Sequence, residues 1–412
     1  MTIIQFIDNN PVRNIAGYKL HEEDTVIFCG EKEVMDRVLP DYRRFLRHRG
    51  AKVNIRTIYL NTYNFEEVRD KLESIILDNP GCTLDVSGGN DMLLFTVGTL
   101  YEKYINEGVQ VQVIDFFDGK IVDVDGDGQT QQSNMPFLSI EENIILHGGY
   151  IKESNENAIT RASLNDSVLN DINNLWTVCR KDCTLWNSLA ATLGECRIQI
   201  DTCDKNVLYV DTSLFKKLKG RKHQSKSQFD LFNSLKSRGL LTWEKNNDDT
   251  YKIVFKNNVI KECVDKGGTP LELKTYIDAL AFAKDDEYYF DDVRTGVTIE
   301  WSEKSPFRVG DDTLNEIDII VSRAYDIYFV SCKSGNITEE ELYKLDTVAI
   351  KFGGISAKKI LLVTDYGRLG NTPKALYKFK ERARNMNIKI IDNIHKKSSD
   401  SFSSIFMDNN CF

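Results

Sequence analysis

Over its first 115 residues the chain alternates short apolar, β-branched runs with stretches in which apolar residues recur every three or four positions. Period-two and helical-period segments in alternation predict parallel strands joined by crossover helices. The expected strands are Thr2–Ile7, Thr25–Cys29, Val53–Leu60, Thr83–Ser87 and Val109–Phe116, with helices over about 31–49, 64–78 and 90–107. The second of these helices opens on Asn64 with Glu67 three residues on, a capping-box spacing. The stretch KIVDVDGDGQTQ that follows, within residues 117–136, reads as an appended hairpin with turn residues at its centre.

From about 139 to 200 the period is helical, and no strand is expected between Glu141 and Leu193. Residues 225–257 change character: a helix, SQFDLFNSLKSRGLL, precedes two alternating runs joined by a polar turn, a winged-helix-like pattern. After Gly267 and Gly268 a helix LELKTYIDALAFA leads into strands near 288–301, 315–321 and 326–332. A helix from Thr338, a strand KILLVT, a helix over 373–386 and a strand IKIID complete an α-β-β-β-α-β-α-β order. The chain is therefore expected to be α/β in three parts: a Rossmann-like parallel sheet (1–138), a helical and winged-helix-like middle (139–262) and a second α/β domain (263–412).

Composition narrows the class. At 412 residues, two or three domains are expected, and no stretch approaches the roughly 18 apolar residues of a spanning helix. With 53 basic against 62 acidic residues the net charge is −9, so no global positive field draws in nucleic acid and any polyanion site must be local. Nine cysteines, an odd number with no Cys-x-x-Cys, argue against a disulfide framework and for a reducing compartment, so a cytoplasmic, membrane-free protein is expected.

The last third carries the densest chemistry. In NEIDIIV, Glu316 and Asp318 are two apart on an expected strand, which puts both carboxylates on one face. In YFVSCKSG, Ser331 and Lys333 share one face of the next strand with Cys332 opposite, and Glu272 on the preceding helix is placed to join them. Carboxylates with a lysine suit phosphodiester hydrolysis: oxygen ligands hold Mg²⁺ or Mn²⁺, and the ammonium steadies the nucleophile or the developing charge. The competing reading is a cross-strand ion pair of Asp318 and Lys333, worth little at a surface. Helix Glu, strand Asp and then x-x-Lys on the following strand resembles the PD-(D/E)xK, restriction-endonuclease-like nucleases. That resemblance implies Asp318 as principal metal ligand, Glu272 or Glu316 as the second carboxylate, the peptide carbonyl of Cys332 as a further ligand, and Lys333 as the positioning or charge-stabilising residue. The chain departs from the family at Ser331, where an Asp or Glu is usual and where serine leaves a hydrogen-bonding substitute.

In an open parallel sheet ligands bind outside the carboxyl ends of the strands. The loops reaching that rim are Asp8, Asn9 and Asn10; Gly30 and Glu31; Asn61 to Tyr63; and Ser87, Gly88, Gly89, Asn90 and Asp91. In the last, DVSGGNDML, a glycine pair at a helix start lets backbone N–H groups approach an anion, although a tight strand-to-helix turn needs the same residues. Together with the nuclease-like end, the layout resembles the CARF nucleases, ancillary effectors of type III CRISPR antiviral defence that pair a CRISPR-associated Rossmann fold with a PD-(D/E)xK domain. The resemblance implies a homodimer that binds cyclic oligoadenylate, commonly the tetramer, as allosteric activator and then cuts RNA or DNA without sequence specificity. The family's glycine pair is often followed by Thr and Lys, where this chain has Asn90 and Asp91. The alternative expectation is a ligand-responsive winged-helix DNA-binding regulator whose nuclease-like end is inert.

Three further patterns carry less. Asp123, Asp125, Asp127 and Gly128 match the start of a calcium loop, but its twelfth position is Asn134 rather than Glu, and a polar hairpin turn is the expectation. Cys179, Cys183, Cys196 and Cys203 match no zinc spacing and read as buried small side chains. Two basic runs, Lys216 to Ser227 and the set Lys374, Lys378, Lys380, Arg382 and Arg384, read equally as solvated faces or as phosphate-tracking surfaces.

Overall fold

The computed structural model describes residues 1–15, 24–115, 120–124, 130–134, 137–152, 159–160, 164–201, 204–219, 227–246, 249–284, 287–301, 314–354, 356–397 and 405. Its first unit contains β1 (Thr2–Phe6), β2 (Thr25–Gly30), α1 (Lys32–His48), β3 (Asn54–Tyr59), α2 (Phe65–Asp78), β4 (Thr83–Asp85), α3 (Asp91–Tyr104) and β5 (Gln110–Asp115). The expected hairpin follows as β6 (Lys120–Val124) and β7 (Thr130–Asn134). The sheet order is β3-β2-β1-β4-β5-β6-β7, parallel through β5 and antiparallel beyond it. Strands covered on both faces need near-continuous apolar runs, which explains why Ile3, Ile4, Val26, Ile27 and Phe28 are all fully buried. α2 and α3 cover one face and α1 the other. Because the chain winds outward from β1 to β3 and returns to β4, the topological switch point lies between β1 and β4.

The middle of the chain holds α4 (Ile140–Leu146), β8 (Tyr150–Ile151), β9 (Ile159–Thr160), α5 (Asp166–Cys179) and α6 (Cys183–Cys196). It continues with β10 (Arg197–Ile200), β11 (Val207–Asp211), α7 (Ser213–Lys219), α8 (Gln228–Ser237), β12 (Leu241–Lys245) and β13 (Thr250–Phe255). The helix-then-hairpin expected over 225–257 is α8, β12 and β13, and β10 and β11 enlarge it to a sheet of order β10-β11-β13-β12. The stretch expected to lack strands contains two, β8 and β9. Two residues are too short to show any periodicity, and both strands exist only by backbone pairing to an edge supplied some 140 residues later.

That edge belongs to the last unit: α9 (Asn258–Asp265), α10 (Thr269–Ala281), β14 (Ala283–Lys284), β15 (Glu287–Tyr288), β16 (Asp292–Glu300), β17 (Leu314–Arg323), β18 (Asp326–Lys333), α11 (Glu340–Gly353), β19 (Lys358–Val363), α12 (Pro373–Asn385) and β20 (Ile388–Ile391). The sheet runs β20-β19-β18-β17-β16-β8, antiparallel from β8 to β18 and parallel from β18 to β20. Alternation along β17 and β18 sorts their side chains between two cores. Ile319, Val321, Val330 and Cys332 pack with Leu271, Leu273 and Tyr276 of α10, whereas Ile320 and Phe329 pack with Leu342 and Leu345 of α11.

The first and last units meet at α4. Arg44 of α1 donates to the carbonyls of Ile145 and Gly149, both at 2.9 Å, and stacks 3.7 Å over the Tyr150 ring. Arg49 donates to the Phe137 carbonyl at 2.8 Å and pairs with Glu142 at 2.5 Å, while Lys351 of α11 donates to the His147 carbonyl at 3.0 Å.

Candidate functional site

Asp318 lies one step beyond the last backbone pair of β17 with β18 and opposite Gly296 of β16. Between β16 and β17 the pairs Thr295–Ile319 and Val297–Ile317 flank Gly296 and Asp318, and Gly296 has φ +62°, a conformation that a side chain would strain. The Thr295 hydroxyl donates to the Asp318 carbonyl at 2.9 Å. Between β17 and β18 pairing runs from Arg323–Asp326 to Ile319–Val330. One step beyond, the Asp318 carboxylate replaces the backbone partner: Oδ2 accepts the Cys332 N–H at 2.6 Å and the Ser331 hydroxyl at 3.1 Å. The carboxylate is thereby fixed at the open end of the strand pair by charge-assisted hydrogen bonds.

Glu316, Asp318, Ser331 and Lys333 line one cleft of about 280 Å³, together with the intervening Asn315, Ile317 and Val330. The Cys332 thiol is buried on the opposite side. Glu272, on α10, feels the charges of Asp318 and Glu316 but does not line the cleft. Burial first, then the Asp318 and Glu316 carboxylates, push Glu272 up to about 8, so it is protonated at neutral pH when no cation is nearby. Burial also raises Asp318 despite the Lys333 charge and the hydrogen bonds it accepts. At Lys333 burial favours the neutral form, but Asp318 and the ion pair with Glu341 at 3.0 Å outweigh it and hold the ammonium charged.

Glu341 and Lys344, on the first turn and a half of α11, complete the cleft and were missed in the sequence. The signal was topological: a helix crossing from β18 to parallel β19 starts above the carboxyl end of β18, so an acid of its first turn, Glu341, faces Lys333. Crowded carboxylates around an ammonium and a hydroxyl form a hard-oxygen donor set that a phosphate can approach only with a cation between them. Among the described residues no group of three or more His, Cys, Asp or Glu side chains is placed to hold a metal ion by itself.

At the rim of the first sheet the expected loops converge on the β1–β4 switch point. The Asp8 carboxylate accepts the Asn10 N–H at 2.7 Å and faces Arg13 at 3.6 Å, and burial raises its pKa against these contacts. Asn9 accepts a hydrogen bond from Arg37, and Asn10 caps the short turn Pro11–Asn14 through the Val12 N–H at 3.2 Å. Glu31 accepts from Thr62 and, at 3.4 Å, from the Asn90 amide, and Gly30 lies 3.3 Å from the Ile7 carbonyl when given a Cβ. Ser87 accepts the Ile114 N–H at 2.8 Å.

The glycine pair is required by packing. A Cβ on Gly88 would stand 2.4 Å from the Phe6 carbonyl oxygen, and one on Gly89, at φ +100°, would stand 2.8 Å from the Phe6 side chain. Asn90 caps α3 through the Leu93 N–H at 3.0 Å, and Asp91 is exposed as the first helical residue. Tyr63, in the loop after β3, and Phe95, on α3 with its ring 5.8 Å from that of Phe65, are 90% and 63% exposed.

Of the weaker patterns, Asp123 and Asn134 sit in hairpin strands paired to Gln131 and Lys120, and Asp125, Asp127 and Gly128 lie outside the described residues. Cys179, Cys183 and Cys196 are buried apolar residues, and Cys203 lies outside the described residues. Of the first basic run, Lys217 pairs with Glu195 at 3.3 Å, and residues 220–226 lie outside the description. On α12, Lys380 pairs with Asp392 at 2.7 Å, and Arg382 and Arg384 pair with Glu339 and Glu381; Lys374, Lys378 and Arg384 are exposed. No described helix is long and apolar enough to cross a membrane.

No protein-family model matches the sequence, and no curated protein matches it either. Solved structures share its fold along nearly the whole chain. Protein VC1899 from Vibrio cholerae superposes with a TM-score of 0.68 at 15% identity, covering 98% of this chain and 96% of that one. Can2 from Sulfobacillus thermosulfidooxidans, solved in complex with cyclic tetra-adenylate, superposes with a TM-score of 0.64 at 13% identity, covering 99% of this chain and 96% of its own.

Proposed function

We propose that this chain is a cyclic-oligoadenylate-activated, metal-dependent nuclease of type III CRISPR defence, with a CARF sensor in the first unit and a PD-(D/E)xK site in the last. The observation that carries the reading is the set Asp318, Ser331 and Lys333, brought together in one cleft with the Asp318 carboxylate held by Ser331 and the Cys332 amide. Bound cyclic tetra-adenylate in a structure of the same fold supports the ligand class and favours the tetramer.

In this reading Asp318, held by Ser331 and the Cys332 amide, is the principal ligand of Mn²⁺ or Mg²⁺, with Glu272 or Glu316 and the Cys332 carbonyl as further donors. The bound cation would acidify a water and neutralise the scissile phosphate. Lys333, kept charged by its acidic neighbours, orients the water-derived nucleophile and stabilises the pentavalent phosphorane charge. Ser331 holds the Asp318 carboxylate in its cleft-facing orientation. The rim residues Asp8 to Asn10, Gly30, Glu31 and Ser87 to Asp91 form the activator site, and exposed Tyr63 and Phe95 beside it are the contact of a two-fold dimer, the commonest closed symmetry. Activation requires the ligand to bind the cleavage-competent state more tightly than the resting one.

The test is cleavage of labelled RNA, single-stranded DNA and plasmid in Mn²⁺ or Mg²⁺, with and without cyclic tri-, tetra- and hexaadenylate. Cleavage that needs one ring and disappears in Asp318→Ala is the expected result; equal cleavage without any ring removes the sensing half. The serine at 331 in place of an acid favours one second reading, a winged-helix DNA-binding regulator with an inert nuclease fold. A sequence-specific footprint that survives loss of Asp318 and Lys333, with no cleavage in Mn²⁺, would support that reading instead.

A further inference from the structure

Resting on the nuclease reading above, we infer that Asn187, on α6 in the middle of the chain, is a positioning residue for Lys333. Lys333 ends β18, and its pairing with Val363 is the last that β18 makes with β19, so the sheet does not hold the peptide that follows. The Asn187 side-chain amide holds it instead. Its Nδ2 donates to the Ser334 carbonyl, and the Ser334 hydroxyl shares its proton between Asn187 Oδ1 and the Gly267 carbonyl, each at 3.4 Å. A carbonyl can only accept, so Ser334 fixes which way round the amide sits.

Glycines on both sides show how closely that amide is seated. A Cβ on Gly267 would stand 2.3 Å from Asn187 Oδ1, and one on Gly335, at φ +141°, would stand 3.2 Å from Nδ2. On Gly268 a Cβ would stand 3.3 Å from the Glu272 carboxyl, so the Gly267–Gly268 turn receives Asn187 at its first residue and the acid of α10 at its second. One amide from outside the last unit therefore ties the residue after Lys333 to the turn before the helix that carries Glu272. Lys333 itself is held through its carbonyl, which accepts the Thr364 N–H at 3.0 Å, and through its ammonium on Glu341 at 3.0 Å. Neither contact reaches the next peptide. The rival role for Asn187 is to dock α6 on the last unit and nothing more; docking shows in the melting temperature, whereas positioning shows in turnover.

The experiment compares wild type with Asn187→Ala, Asn187→Asp and Asp182→Ala. Asp182 caps α6 through the Leu185 N–H at 2.9 Å, so Asp182→Ala weakens the helix and leaves the Asn187 amide in place. The readouts are kcat and KM for ring-stimulated cleavage in Mn²⁺, thermal melts, and backbone hydrogen exchange of the ligand-free protein by mass spectrometry. Asn187→Ala is expected to lower kcat about tenfold or more at nearly unchanged KM and to speed exchange over residues 331–337 while the first sheet exchanges as in wild type. Asn187→Asp, which sets an acceptor against the Ser334 carbonyl, is expected to lose at least as much. Asp182→Ala is expected to lower the melting temperature and keep the wild-type kcat. A kcat within twofold of wild type in Asn187→Ala, unchanged exchange over 331–337, or an equal loss of kcat in Asp182→Ala overturns the assignment while wild type still cleaves. If wild type cleaves nothing with any ring, the nuclease reading itself has failed and the role of Asn187 falls with it.

Discussion

Asp85 ends β4 directly beneath the rim and is fully buried. Its Oδ1 accepts the Ser87 N–H at 2.9 Å and its Oδ2 accepts the Gln112 amide at 2.6 Å, and neither partner is cationic. Burial outweighs these hydrogen bonds and pushes the carboxyl up to about 6 from 3.8. A carboxyl raised in the folded state binds its proton more tightly there than in the unfolded chain. Its stabilising contribution is therefore fully present below about pH 4 and is lost as pH rises through about 6. A shift of about two units is worth roughly 3 kcal/mol, which the protein forgoes at neutral pH to keep an ionised carboxylate under the loop. Asp85→Asn keeps an oxygen for the Ser87 N–H and asks only that the Gln112 amide turn to present its own oxygen. The variant should match wild type at pH 4 and exceed it above pH 7, by up to that amount and by several degrees in apparent melting temperature. Circular dichroism melts at pH 4, 6 and 7.5 with a fixed scan rate measure the difference. Melting curves for wild type and variant that stay parallel from pH 4 to 7.5 would refute the reasoning, because the ionisation of Asp85 would then carry no cost.

Two further outcomes follow from the rim. Gly88→Ala drives a methyl to within 2.4 Å of the Phe6 carbonyl and 2.9 Å of the Asn14 side chain, so it should cost about 1–3 kcal/mol and weaken binding of cyclic tetra-adenylate, read by thermal melt and by calorimetry. Phe95→Asp puts a charge into the exposed apolar face formed with Tyr63 and Phe65, and sedimentation should show it shifting a two-fold dimer toward monomer; a sedimentation profile identical to wild type would place the dimer contact elsewhere.

How much of this was legible in the sequence depended on the range of the interaction. The short spacings that put Glu316 near Asp318 and Ser331 near Lys333 are properties of a few consecutive residues, and all four line the cleft, although Asn315, Ile317 and Val330 between them line it too. The Asn64 cap was legible for the same reason, since it accepts the N–H three residues on, whereas the cap that Asn90 makes to the Leu93 N–H was not read from the sequence. The glycine pair was legible as a special turn but not in its cause, because Phe6 approaches it from a strand more than 80 residues earlier. β8 and β9 were invisible because only the edge of β16 makes them strands. Gly296 reads as an ordinary strand residue until its φ of +62° is seen opposite Asp318, and Glu341 reads as one acid among three at a helix start until the crossover sets it over Lys333.

The same crossover gives α11 a second role in the architecture. Its first turns contribute Glu341 and Lys344 to the cleft, and its last turn contributes Ile350 and Lys351 to a cavity of about 480 Å³ walled on the other side by Asn9, Asn10 and Arg37. Fourteen helical residues span about 21 Å, so one rigid element joins the rim loop's surroundings to the acids around Lys333. The docking between units combines an apolar seam, in which Leu138, Ile145, Leu146 and Tyr325 pack with Tyr42 and Phe45 of α1, with directed contacts: Arg44 and Arg49 reach across to carbonyls and to Glu142, and Lys351 reaches the His147 carbonyl. Directed contacts of this kind have discrete alternatives, whereas apolar packing deforms only at the expense of voids. A ligand that rearranges Asn9 and Asn10 would therefore act on the cavity wall first and on the helix second.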